Sequence, residues 1–178
     1  DSILTKEKVE KSYPKPTKHR AVDGRVSVMK KKEKNDNKNN ASKNTQQHEL
    51  EQLMADSAKD AVGTSRDMFN IELDYSAESI ELIDSLLLAF IDRFKDQALE
   101  DNAVFTLCNI YGAYIGEVMR SLIGGSWRYD ESDKTAPYVV LDVGEYSYAF
   151  AGICYERLVN DSQVSVKAYF DQALANNT

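Results

Sequence analysis

Two residues of this chain carry an imidazole, His19 and His48, and two carry a thiol, Cys108 and Cys154. Both histidines fall in or beside a polar N-terminal stretch. The part of the chain able to build a core therefore has no imidazole of its own to act as base or metal ligand near neutral pH, unless His48 folds back onto it. That weighs against Ser-His-Asp and Cys-His catalysis and against His-bearing zinc sites. Cys108 and Cys154 lie on apolar faces of predicted helices, where buried free thiols are the expectation. A disulfide between them would need an oxidising compartment and would close a loop of about 45 residues. Two thiols are too few for a zinc finger or a disulfide framework.

Carboxylates are the abundant reactive groups. Glu117 sits in a glycine-notched helix, with Asp142 and Glu145 at the end of a strand. Paired carboxylates can perform glycosidase-type acid–base work or hold Mg²⁺. Positions 49–178 hold 23 acidic residues, however, so chance pairs are expected anywhere. A solvated face, or ion pairs with Arg120, Arg128 or Arg157, is the simpler expectation. Gly124-Gly125-Ser126 lacks the length and the lysine of a phosphate loop. Tyr129, Tyr138, Tyr146, Tyr148 and Tyr155 read mainly as core and sheet surface, with a protein-binding patch as the second reading. No catalytic residue, metal site or cofactor is expected.

The elements that must position these groups divide the chain in two. Its formal charge of −7 over 178 residues hides a split: residues 1–48 hold 13 Lys/Arg against 6 Asp/Glu, and residues 49–178 hold 9 against 23. The longest apolar run, Leu86 to Ile91, is far short of the roughly 20 residues of a membrane span. Residues 1–47 read as a basic, disordered tail or linker. Lys30-Lys31-Lys32-Glu33-Lys34 is a charge run, and Asn35 to Gln47 has almost nothing to bury against the ordering entropy. Arg25-Val26-Ser27-Val28-Met29 alternates and could add as a strand. Tyr13 is the tail's lone aromatic, so a nucleic-acid stacking platform is not expected.

Residues 48–178 read as one acidic α+β domain: N-terminal helices packed on a small antiparallel sheet of about three strands, then two C-terminal helices. Leu50, Leu53, Met54, Ala58, Ala61 and Val62 predict an amphipathic helix ending near Gly63. Ser76 suits the N-cap of a helix whose apolar face runs through Ile80, Ile83, Leu86, Leu87 and Phe90. A helix over about 102–123 contains Gly112 and Gly116, four apart on one face. Each costs roughly 1 kcal/mol against alanine, which close approach of another backbone would offset. Gly124-Gly125 stops that helix. Ser126-Trp127-Arg128-Tyr129 and Tyr138 to Val143 predict paired strands, and Tyr146 to Phe150 a third after the Gly144-Glu145 turn. Residues 152–159 look helical, and Asn160-Asp161-Ser162 is expected to cap a last helix.

The blocks Leu73-Asp74-Tyr75-Ser76-Ala77-Glu78-Ser79-Ile80, Tyr111-Gly112-Ala113-Tyr114-Ile115-Gly116-Glu117-Val118 and Gly124-Gly125-Ser126-Trp127 resemble a group of small bacterial α+β proteins with DYSxES and GAYxGEV…GGxW blocks. The resemblance covers roughly residues 70–172. It implies a compact module associated with contact-dependent or secreted toxins, type VI systems among them, in an immunity or adaptor role. It carries no catalytic residues across, and the matched glycines and Trp127 are explained by packing as readily as by function.

The leading functional expectation is a non-catalytic protein that binds and neutralises a cognate bacterial toxin, itself basic around its active site. A complementary acidic surface speeds association and favours the right partner. Asp130, Glu131 and Asp133 in the inter-strand loop, with Asp142 and Glu145 at the next turn, are the expected contacts. Ser76, Gly112, Gly116, Gly124, Gly125 and Trp127 are the expected structural residues. The alternatives are a carboxylate- and metal-dependent hydrolase, and a regulatory adaptor whose tail engages nucleic acid or membrane. Asp1 in place of methionine leaves room for a removed signal or anchor, through which alone a membrane contact is expected. The expected compartment is the bacterial cytoplasm or periplasm.

Overall fold

The computed structural model describes residues 17–18, 36–95, 100–132 and 138–178, with positions 17–18 and 36–39 described by backbone alone. Arg25–Met29, His19 and Asp133 lie outside them. The elements run β1 (Thr17–Lys18), α1 (Asp36–Phe69), α2 (Ile80–Arg93), α3 (Asp101–Ile123), β2 (Ser126–Asp130), β3 (Tyr138–Val143), β4 (Tyr146–Tyr148), α4 (Phe150–Tyr155, continued by a π turn over Glu156–Asn160) and α5 (Val166–Asn176). The architecture is α+β, with helices against an antiparallel sheet of order β1-β4-β3-β2.

Helix α3 is the spine because its apolar residues cover most of its circumference. Val104, Leu107, Cys108 and Ile110 to Gly116 are buried, as are Val118 and Met119, so it sits inside the helix layer rather than on it. Its glycine notch is filled as its cost requires. A Cβ on Gly112 would lie 2.5 Å from the backbone nitrogen of Ala151, so this glycine is where α4 crosses α3 in direct backbone contact. A Cβ on Gly116 would overlap the indole of Trp127. Here the notch receives a side chain instead of the backbone expected from sequence. At the end of α3, Gly124 and Gly125 adopt φ of 82° and 129°, which turn the chain directly into β2.

The boundaries of several helices differ from the sequence reading, most of them for a tertiary reason. Helix α1 begins at Asp36, inside the stretch read as tail, and continues past Gly63 to Phe69. Its first described side chains are exposed, and Gln47 ties the helix down by donating its amide to the Trp127 carbonyl at 2.8 Å. Helix growth beyond such an anchor adds one hydrogen bond per residue without a new nucleus. At the other end Gly63 is carried because Ser65 and Phe69 find partners: Ser65 shares a 2.8 Å hydrogen bond with the Tyr111 hydroxyl, and Phe69 meets Phe90 edge-on at 4.9 Å. Asn70, with φ of 55°, then ends the helix.

Helix α2 begins at Ile80 rather than directly after Ser76. Ser76 Oγ accepts from Ser79 N, and successive i to i+3 bonds form a 3₁₀ lead-in turn, so Ser76 caps that turn and not the α-helix. Helix α5 starts at Val166 with Ser165 as its cap, whereas Asp161 in the predicted cap accepts from Gln163 N and holds a turn. The strand predicted through Phe150 stops at Tyr148. Phe150 opens α4 and packs its ring against Tyr148 at 5.8 Å and Tyr169 at 5.8 Å.

Candidate functional site

A groove of about 480 Å³ opens where α1, α3, the β2–β3 ladder and the start of α4 meet. The sheet register explains its aromatic wall. Trp127 pairs with Leu141 and Tyr129 with Val139, so these four share one face of the pleat, the one turned to the helices. Trp127 is sealed against Gly116, while Tyr129, one repeat along, is 47% exposed. Helix α1 contributes Leu53, Met54 and Ser57, and α3 contributes Phe105 and Asn109 one turn apart. Leu53 is 50% exposed and Phe105 36%. Phe105 also stacks on Tyr155 with ring centroids 5.9 Å apart.

Acidic residues neighbour the lining residues in the chain. Asp56 is exposed on α1 beside Ser57. Asp130 accepts from the Tyr138 hydroxyl at 2.9 Å, and Glu131 follows it, exposed. Burial and the Asp130 bond push the Tyr138 phenol up to about 12. Tyr155 is likewise raised to about 12, first by burial, with added repulsion from Cys108, Asp101 and Glu156.

The residues expected to form an acidic interface separate into two kinds. Asp142 is committed inside the sheet: Arg128 Nε donates to it at 2.6 Å and Ser147 Oγ at 2.6 Å. Asp130 is partly committed, holding Ser132 and Tyr138, and the Ser132 hydrogen bonds keep its carboxyl below the usual range. Glu131 and Glu145 stand exposed on the loop and turn. Glu117 is held by Arg120 Nη1 at 3.3 Å and touched by Trp127 Nε1 at 3.4 Å, an ion pair as the simpler reading anticipated.

Arg157 pairs with a carboxylate that the sequence did not single out. Its side chain is 8% exposed; Nε lies 3.3 Å from Asp84 Oδ1, and Nη1 donates to the carbonyls of Ser162 and Val164, both at 2.6 Å. Asp84 in turn accepts from Val166 N, Lys167 N and Ser165 Oγ. One carboxylate on α2 thus caps α5 from outside and neutralises the buried guanidinium, as a helix N-terminus favours. Nothing local marks Asp84, since it reads as one more acid on an amphipathic helix.

Cys108 and Cys154 are both buried, unbonded thiols, and burial pushes both well above the ordinary thiol range. A thiolate nucleophile is disfavoured there. His48 is an exposed α1 residue 4.0 Å from Glu51, away from the core. Among the described residues there is no cluster of three or more His, Cys, Asp or Glu arranged to hold a metal, and no helix long and apolar enough to cross a membrane. Leu53, Phe105 and Tyr129 are the groove residues that sequence reasoning did not bring together. Their one signal is that Phe105 is apolar yet off the periodic face of α3. Comparison with protein-family models, curated proteins and solved structures finds no match for this chain.

Proposed function

We propose that this chain is a non-catalytic protein-binding module, an immunity-type protein that neutralises a cognate toxin through an acidic surface. The observation that carries this reading is how the fold distributes charge. Each of the five arginines in residues 49–178 is engaged within the chain: Arg66 with Asp67, Arg93 with the Met68 carbonyl and the Phe69 ring, Arg120 with Glu117, Arg128 with Asp142, and Arg157 with Asp84. Many carboxylates stay exposed, among them Glu49, Asp56, Asp60, Glu72, Glu78, Glu81, Asp92, Glu131 and Glu145. The domain therefore presents a negative field able to steer a basic partner. The resemblance of the DYSxES and GAYxGEV…GGxW blocks to proteins of toxin–immunity loci supports the same reading.

The test is rescue of growth. A bacterium poisoned by a candidate cognate toxin should grow when the chain is co-expressed. The purified pair should form a complex whose association rate falls steeply between low and high salt. Unrelieved poisoning with the chain folded and abundant, or association indifferent to salt, would count against the proposal.

A further inference from the structure

We propose that the groove between α1, α3 and the β2–β3 ladder is the anchor point of that surface, and that it takes a partner segment presenting a large apolar side chain between lysines or arginines. The inference rests on the protein-binding reading above and names the chemistry of the partner at one place. The groove lining consists of apolar or uncharged side chains, with Ser57, Asn109 and the Tyr129 and Tyr138 hydroxyls as its polar groups. An ionic head group therefore finds no counter-charge inside. The volume of about 480 Å³ lies within the range of sites that enclose one small ligand or anchoring side chains. The half-exposed faces of Leu53, Phe105 and Tyr129 would leave water on binding.

The neighbouring acids supply the second half of the specificity. Asp56 follows the lining residues of α1 in solvent, Asp101 lies one turn before Phe105, and Glu131 is exposed two residues after Tyr129, so carboxylates neighbour the lining on three elements. Among the described residues, two cations of these elements point elsewhere. Arg128 is bound to Asp142 on the opposite sheet face, and Lys59 lies about 200° round α1 from Ser57. An apolar groove with exposed carboxylates next to its lining matches an aromatic or aliphatic anchor flanked by positive charge, the arrangement in which hot-spot side chains are desolvated and surrounding charges set partner choice.

The probe is a set of three short peptides titrated into the isotopically labelled full chain by two-dimensional NMR. One carries a Lys-Lys-Leu-Phe-Lys-Lys centre, one has its lysines replaced by glutamate, and one has Leu-Phe replaced by Ser-Ser. The first should move the amides of Leu53, Phe105, Asn109 and Tyr129 and bind at least about tenfold more tightly than the others. Leu53→Lys and Tyr129→Ser should each weaken it by about tenfold without shifting thermal stability, since both side chains are half-exposed. Shifts confined to Glu131, Glu145 and other exposed acids, unaffected by Leu53→Lys, would overturn the groove assignment and leave the acidic-surface reading standing. Equal binding of the glutamate peptide, or no shifts with any peptide, would overturn both.

Discussion

The junction of α2, the π turn and α5 encloses a carboxylate, whereas the groove between α1, α3 and the sheet has carboxylates only beside it, and the two regions use them in opposite ways. At the junction, Asp84 is enclosed and every lone pair has work: two backbone amides, a serine hydroxyl and the Arg157 guanidinium converge on it. At the groove, Asp56 and Glu131 stand in solvent beside the residues of an apolar lining. The same residue type is structural where the chain supplies a cation and amides, and available to a partner where it does not. A net charge cannot distinguish the two uses.

The largest effect that would break this contrast is Asp84→Ala. It should cost about 3–5 kcal/mol, because it leaves a buried guanidinium without its counter-ion and the first amides of α5 without acceptors. Denaturant unfolding would read it, and a loss no larger than that of an exposed acid would erase the distinction between the regions. Next comes Gly116→Ala. Helix propensity alone would stabilise by about 1 kcal/mol, but the new Cβ overlaps Trp127, so a net loss of about 1–3 kcal/mol is expected. A thermal midpoint that rises would show the indole moving aside freely.

Alkaline pH sharpens the comparison further. Burial raises the Tyr111 phenol to about 12, with Ser65 opposing and Cys154 adding to the shift. A phenol whose folded value lies above its unfolded value near 10 stabilises the fold fully below pH 10 and loses that contribution as pH rises toward 12. Thermal midpoints should therefore begin to fall above about pH 8.5, as the two buried thiols become free to ionise only in the unfolded chain, and fall more steeply between pH 10 and 12. Tyr111→Phe should flatten part of that fall. An unchanged slope in that variant would remove Tyr111 as its source.

The smallest effects concern the exposed acids. Asp142→Lys should cost about 1 kcal/mol through its partly exposed Arg128 pair, whereas Glu131→Lys and Glu145→Lys should stay within about 0.5 kcal/mol of the parent. The latter two should instead slow association with a basic partner. Equal stability losses at all three positions would mean that Asp142 is no more committed to the sheet than its neighbours.

Much of the architecture is legible in the residues. The α+β class, the full length of α3, its stop at Gly124 and the paired strands after it all follow from apolar spacing and glycine position. So does the need for something to fill the Gly112–Gly116 notch. These features depend on neighbours within a few positions, and local periodicity and propensity govern them. What fills the notch does not follow, because Trp127 and Ala151 reach it from different elements. The start of α5 is equally non-local: its first amide is satisfied by a carboxylate 82 positions away, so the local Asn160-Asp161-Ser162 signal loses to a distant acceptor. The length of α1 was likewise decided by packing, since Gln47, Ser65 and Phe69 gain partners on β2, α3 and α2 that outweigh a polar N-terminal stretch and one glycine. By itself the sequence determined that this protein would be an acidic helix-and-sheet domain with a glycine-notched central helix. Only the tertiary structure decided which carboxylates are spent on the fold and where an apolar groove opens among the rest, because both depend on contacts between residues far apart in the chain.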